Sequence, residues 1–270
     1  LPPYVAYEAW LRRHCWDEPA CHHLLGLAQK RAVLPLIHLL IVLPAAQSAL
    51  LGPTLIALAR QTLAAWRLTV IADFACPSPE FAQMDELAWV TINTWEELSD
   101  VLAEQARQSP AEWFWCGQAG VQWEPVFINL AVELISRHPQ WRLAYTDEDV
   151  VAQGSDQESW SRPLFKPDAN LDLLRSSGYI GHAVLVHRAL WESLPVAELR
   201  PGLLLNYAAA LRCFEYFGEA AVGHIDEMVF HRPETAPVDW LAFGRDALPL
   251  LREHLQRQNL PATVSAGPLP

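Results

Sequence analysis

Residues 143–180 read LAYTDEDVVAQGSDQESWSRPLFKPDANLDLLRSSGYI. Three acids, Asp147, Glu148 and Asp149, follow a short apolar run, and a polar loop then leads to Phe165-Lys166-Pro167-Asp168. Open α/β sheets place their ligands beyond the carboxyl ends of their strands, so carboxylates behind an apolar run predict both a fold and a kind of chemistry. Asp147 and Asp149, at i and i+2, could share a divalent cation through hard oxygen ligands. The plainer alternative is an ion-pair network in which Lys166, Arg142 or Arg175 neutralises the acids. Lys166 could otherwise meet a phosphate as a point charge.

Outward from this stretch, apolar runs and helical spacing alternate. Residues 4–30 are spaced as a helix, with Tyr7, Trp10, Leu11 and Leu24 on the apolar side. Leu36 to Leu43 is a continuous apolar run ending at Pro44, the pattern of a parallel strand covered on both faces. Residues 50–65 return to helical spacing, and RLTVIA (Arg67–Ala72) is a second buried strand ending at Asp73. Further strands are expected at 86–92, 113–116, 141–145, 183–186 and 227–231. Helices are expected at 96–108 (capped from Thr94), 124–137, 204–217 and 246–258. This alternation predicts an α/β fold, a doubly wound and mostly parallel sheet flanked by helices, with helical additions at both ends. The expected divisions are a helical segment at 1–30, a main domain at 31–245, and a helix and linker at 246–270.

The composition narrows the function. Hydrophobic residues make up 51% and charged residues 19%, as in a globular protein. Nineteen basic against 31 acidic side chains give a net charge of -12. With no basic patch to offset it, that surface argues against nucleic acid as a partner. A single diphosphate remains admissible, because one metal ion or a few donors can hold it. Cys15, Cys21, Cys76, Cys116 and Cys213 form an odd set without a CxxC pair, which favours reduced thiols and a cytoplasmic setting. Cys15, Cys21, His22 and His23 cluster but lack the further ligands of a zinc site. The greasiest stretch, residues 32–46, is too short for a membrane span and contains two prolines, and the start LPPYVAYEAW lacks the pattern of a secretory signal. Of the twelve tryptophans, Trp10, Trp66, Trp115 and Trp141 are expected in the core, whereas Trp123 and Trp160 are candidates for stacking on a sugar near the cleft.

The order of these pieces resembles the family 2 glycosyltransferases of the GT-A fold. It resembles above all the large bacterial members that build surface polysaccharide (O-antigen) or glycosylate flagellin. Tyr7 and Trp10 match a leading Y-x-x-W, IVLPAAQ (Ile41–Gln47) stands where the family has a strand plus P-V-Y-N, and Leu58–Asp73 is similar to a helix, strand and acid pair. YTDED, then P-x-FKPD, then LDLLRSSGYIGH (Leu171–His182) is the most specific match, and HIDEMVFHR (His224–Arg232) resembles the closing strand. The tail HLQRQNLPATVSAGPLP is similar to the junction that leads into a second transferase module. The resemblance thus implies a second glycosyltransferase module in the same polypeptide and a glycan or protein acceptor.

Inverting transfer from a nucleotide-sugar needs a divalent metal, Mg or Mn, on the leaving diphosphate, a carboxylate base and a nucleoside pocket. The resemblance implies Pro44 and Asp73 for the nucleoside, with Phe74 in place of the second acid. It implies Lys166, Asp168, His182, Asn206 and Trp160 along the acceptor side of the cleft, and His231 as a histidine that can approach the metal. Counting back from Pro125 puts the Asp-x-Asp-Asp segment at Gln118-Ala119-Gly120-Val121, where no carboxylate stands. The expected base falls on Asn206, whose amide takes no proton near neutral pH. Two expectations follow. One is a degenerate domain serving a structural or acceptor-binding role beside an active module. The other is an active transferase using a displaced site at Asp147, Glu148 and Asp149.

Overall fold

A computed structural model of the chain describes residues 3–152, 159–194, 201–234 and 240–265. Along the chain run α1 (Pro3–His14), α2 (Glu18–Ala28), β1 (Ile37–Leu43), α3 (Leu51–Ala59), β2 (Trp66–Ala72), β3 (Leu87–Thr91), α4 (Leu98–Gln108) and β4 (Trp113–Gln118). There follow β5 (Gln122–Trp123), α5 (Phe127–Arg137), β6 (Leu143–Val151), β7 (Trp160–Leu164), α6 (Leu171–Ser176), β8 (Val184–His187), α7 (Arg188–Trp191), α8 (Leu203–Phe217), β9 (Val222–Pro233) and α9 (Trp240–Arg257).

β1 is apolar at nearly every position because both of its faces are covered. Ile37, Leu39, Ile41 and Leu43 pack in one core with α3 and α5, while Leu40 and Val42 pack in a second with α4 and α8. β3, β2, β1 and β4 form a parallel group in that order. β8 then enters antiparallel between β4 and β6, and β9 runs parallel to β6. β5 closes the edge on β9. The strand β6 changes partner halfway: Leu143–Tyr145 pair with β8, and Glu148–Val151 pair with β7.

Three departures from the sequence expectations have physical causes. The helix expected over 4–30 is two helices, because Asp17 caps Ala20 N from an extended backbone and Pro19 stands in the first turn of α2. The helix expected over 50–65 ends at Ala59, where Gln61 turns its amide to Glu124 O and Ile128 N and ties the chain to α5. The acids lie inside β6 and not beyond it, since β9 pairs alongside them for the whole length of the strand. Smaller shifts are the extra strands β5 and β7 and a start of α9 at Trp240 instead of Asp246. Thr94 begins a short turn but makes no side-chain cap. Among the described residues no helix is long and apolar enough to cross a membrane.

Candidate functional site

Residues of β4, β9 and the start of α8 line a cavity of ≈ 340 Å³ at the carboxyl end of the parallel strands. Gln118, Ala119 and Val121 form one wall, His182 and Arg232 supply polar groups, and Gly202–Leu204 and Phe243 close the top. The wall at Gln118–Val121 is held from below: Thr54 donates to Val121 O and accepts from Gly120 N, both at 2.9 Å. Gly120 has φ +96°, a conformation that favours glycine.

Behind this cavity lies Glu148, 2% exposed. Its carboxylate accepts from Lys166 Nζ at 2.9 Å, His182 N at 2.8 Å, His182 Nδ1 at 3.0 Å and Ala183 N at 3.1 Å. Arg232 Nε stands 3.1 Å away as an ion pair, although its N–H is not aimed at the oxygen and no hydrogen bond forms. Burial by itself would raise the Glu148 carboxyl, but Lys166, His182 and Arg232 hold it well below the usual carboxylate range. Lys166 also donates to Ile180 O at 2.7 Å, so the ammonium is enclosed and does not reach the cavity. Gly181, at φ +74°, passes so close that an added Cβ would stand 2.6 Å from Glu148 Oε2. Asn206, 4% exposed, donates its amide to Gly181 O at 2.9 Å and His182 O at 3.2 Å.

Asp147 and Asp149 do not converge on a common point. Asp147 Oδ1 accepts from Lys166 N at 2.9 Å and meets His224 Nε2 at 3.0 Å. His224 is stacked on Tyr145 and joined by its other nitrogen to Asp168, so Asp168 lies beside a separate shallow hollow. Asp149 lies on the face of β6 opposite Glu148, where it accepts from the Tyr7 hydroxyl at 2.5 Å and pairs with His231 Nδ1 at 2.6 Å. His231 Nε2 is 3.1 Å from Glu124 Oε1. Burial would lower His231, but Asp149 and Glu124 raise it to about 9. Among the described residues no three His, Cys, Asp or Glu side chains are arranged to hold a metal ion. The Cys15 thiol binds Arg12 O in the link between α1 and α2, and His22 and His23 are exposed on α2.

The residues expected at the site therefore separate into groups. His182 lines the cavity, with Lys166 and Asn206 fixed directly behind it. Pro44 and Asp73 meet at the ends of β1 and β2, where Asp73 Oδ1 accepts from Ala45 N at 2.7 Å, outside the cavity wall. Trp160 is on the far face with His231, and Trp123 is a core residue packed on Trp115, Phe127 and Phe230. Of the three cations considered for the acids, Lys166 makes an ion pair with Glu148, while Arg142 turns to Pro139 O and Trp141 O and Arg175 to Asp172 and His254. Asp246, which α9 brings to the rim of the cavity, gave no signal in the sequence, and Glu124, which reads there as an acid at a helix start, pairs with a histidine far away in the chain.

Comparison with known structures places this geometry. S. aureus TarS (residues 1–349, with UDP) superposes with TM-score 0.57 at 12% identity, covering 84% of this chain and 67% of that one. Glucosyl-3-phosphoglycerate synthase from Mycobacterium tuberculosis, bound to Mn2+, UDP and glucosyl-3-phosphoglycerate, superposes with TM-score 0.53 at 15% identity over 92% and 88%. The chain has the GT-A fold. At these identities the likeness is one of fold alone. In the GT-A frame the cavity occupies the cleft at the carboxyl ends of the parallel strands, as open α/β sheets require.

In sequence, the chain is 31% identical over 161 residues to the uncharacterized protein y4gI of Sinorhizobium fredii, covering 54% of this chain and 17% of that protein. It is 37% identical over 138 residues to the O-antigen biosynthesis protein RfbC of Myxococcus xanthus, covering 47% of this chain and 10% of that protein. The matched region is thus a small fraction of either relative. No protein-family model matches the chain.

Proposed function

We propose that this chain is a family 2 type GT-A module of a bacterial surface-polysaccharide assembly protein, catalytically degenerate itself, with a structural or acceptor-holding role beside an active transferase module in the same polypeptide. The glycan-building context rests on the fold and on the likeness to an O-antigen biosynthesis protein. The short share of that relative's length leaves room for further modules.

The observation that carries the degenerate reading is Asn206. Its amide nitrogen donates to two carbonyl oxygens, a task no carboxylate can perform. The position where the resemblance expects a base is thus occupied by a hydrogen-bond donor that holds the cleft wall. The residues present also do not fit a divalent cation. The Gln118–Val121 wall offers no carboxylate, and the Asp147 and Asp149 oxygens already bind Lys166, His224, Tyr7 and His231. The same commitments weigh against a displaced acidic site.

Isothermal titration with UDP-, GDP- and dTDP-sugars in the presence of manganese tests this reading. No metal-dependent binding and no turnover are expected. Micromolar binding that requires manganese, or transfer to an acceptor, would overturn it. Asn206→Asp restores the expected acid but sets it against two carbonyls. It is expected to lower stability by about 1–3 kcal/mol without creating transferase activity.

A further inference from the structure

On the face of β9 opposite the cleft lies a second cavity, ≈ 270 Å³, under the link between α1 and α2. Its walls include three tryptophans, Trp10, Trp16 and Trp160, and its polar groups are Arg12, His14, Glu124, Glu227 and His231. Trp113, Trp115, Trp123 and Trp191 are 2–4% exposed and serve as core, whereas these three remain half-buried around a concave space.

The indoles are held from behind. Trp10 is stacked on His14 with centroids 4.1 Å apart and touched edge-on by Phe165 at 4.9 Å. Trp160 stands edge-on to His231 at 6.2 Å, and Trp16 and Glu227 line the cavity together. The polar groups are likewise positioned, since His231 is clamped between Asp149 and Glu124. Apolar walls with a few fixed polar groups are the make-up of a small-ligand site, and rigid aromatic rings lose little entropy when a ligand packs on them. Arg12 and His231 offset the two carboxylates, so the lining carries charge of both signs and no net attraction for an anion. Flat apolar walls next to carboxylate acceptors suit a ligand with C–H faces and hydroxyl edges.

We infer that this pocket binds a neutral saccharide unit, its C–H faces on the tryptophans and its hydroxyls on Glu124 and Glu227. The sheet separates it from the cleft, so it holds a glycan and does not present one for transfer. The inference does not depend on whether the cleft is active.

Saturation-transfer NMR on the 270-residue chain, with the methyl glycosides of glucose, galactose, mannose, N-acetylglucosamine and rhamnose, tests it. At least one glycoside is expected to bind in the millimolar range. Trp160→Ala and Glu227→Gln should each weaken that binding roughly tenfold, and excess UDP should leave it unchanged. If Trp160→Ala does not fold, Glu227→Gln and Trp160→Phe decide the matter. The inference fails if no glycoside receives saturation, if binding is the same in the folded variants, or if UDP displaces it. Failure by displacement would place the sugar in the cleft, which the nucleotide-sugar titration reads separately.

Discussion

The two faces of β6 each bury a carboxylate, one residue apart, in different surroundings. On the cleft face Glu148 is met by a lysine, an arginine, a histidine and two backbone N–H groups. On the other face Asp149 is met by a tyrosine and a histidine. The first network rests on an arginine and on a lysine that burial pushes down, and the second on a histidine that its carboxylates push up. A buried carboxylate thus fails from the acid side or the alkaline side according to its partner.

The largest effect should come from Glu148→Gln. It leaves Lys166 buried without its counter-charge, and a broken buried pair of this kind costs about 3–5 kcal/mol, readable by urea unfolding at neutral pH. In the native chain the Glu148 contribution is fully present above its ordinary value of 4.5 and is lost as pH falls through its depressed folded value. The variant should therefore show a shallower loss of stability in acid.

Gly181→Ala should come next, at about 2–3 kcal/mol, because it adds a methyl against the locked ends of Glu148 and Lys166 and strains a backbone at φ +74°. A melting temperature unchanged by that substitution would mean that the Glu148 cluster is looser than its distances imply.

His231→Gln should have the smallest effect, about 1–2 kcal/mol at neutral pH. Its signature is the pH profile. Stability from His231 is complete below its ordinary value of 6.5 and disappears as pH rises through about 9, so the native chain should weaken across that window and the variant should not. Equal costs for Glu148→Gln and His231→Gln, with neither altering its own limb of the profile, would erase the distinction between the faces.

The fold was legible where burial on both sides favours a nearly unbroken apolar run, as in β1, broken by His38 alone, and in the second half of β2. The position of the acids was not. A strand is expected to stop before three consecutive charges, because burying them without partners is costly. Their donors come from β9, from the segments after β7 and just before β8, and from Tyr7, 142 residues away, none of which local spacing reveals. The side of the sheet that Trp160 occupies depends on β7 pairing with β6, again a tertiary fact. The empty pattern at Gln118–Val121 and Asn206 was visible in the sequence. The use of the Asn206 amide as a brace for Gly181 and His182 was visible only in the fold.

Glu148 also closes a loop. One of its oxygens holds Lys166 at the beginning of the segment that carries α6, and holds the N–H groups of His182 and Ala183 at its end. The segment is held together at its base where a disulfide could hold it, but only in the folded chain, so the unfolded chain is left unrestricted. All five cysteines are free, so this clasp is indifferent to the redox state of its surroundings. Residues 166–183 should open and close as one unit in hydrogen exchange, released by acid and untouched by reductant.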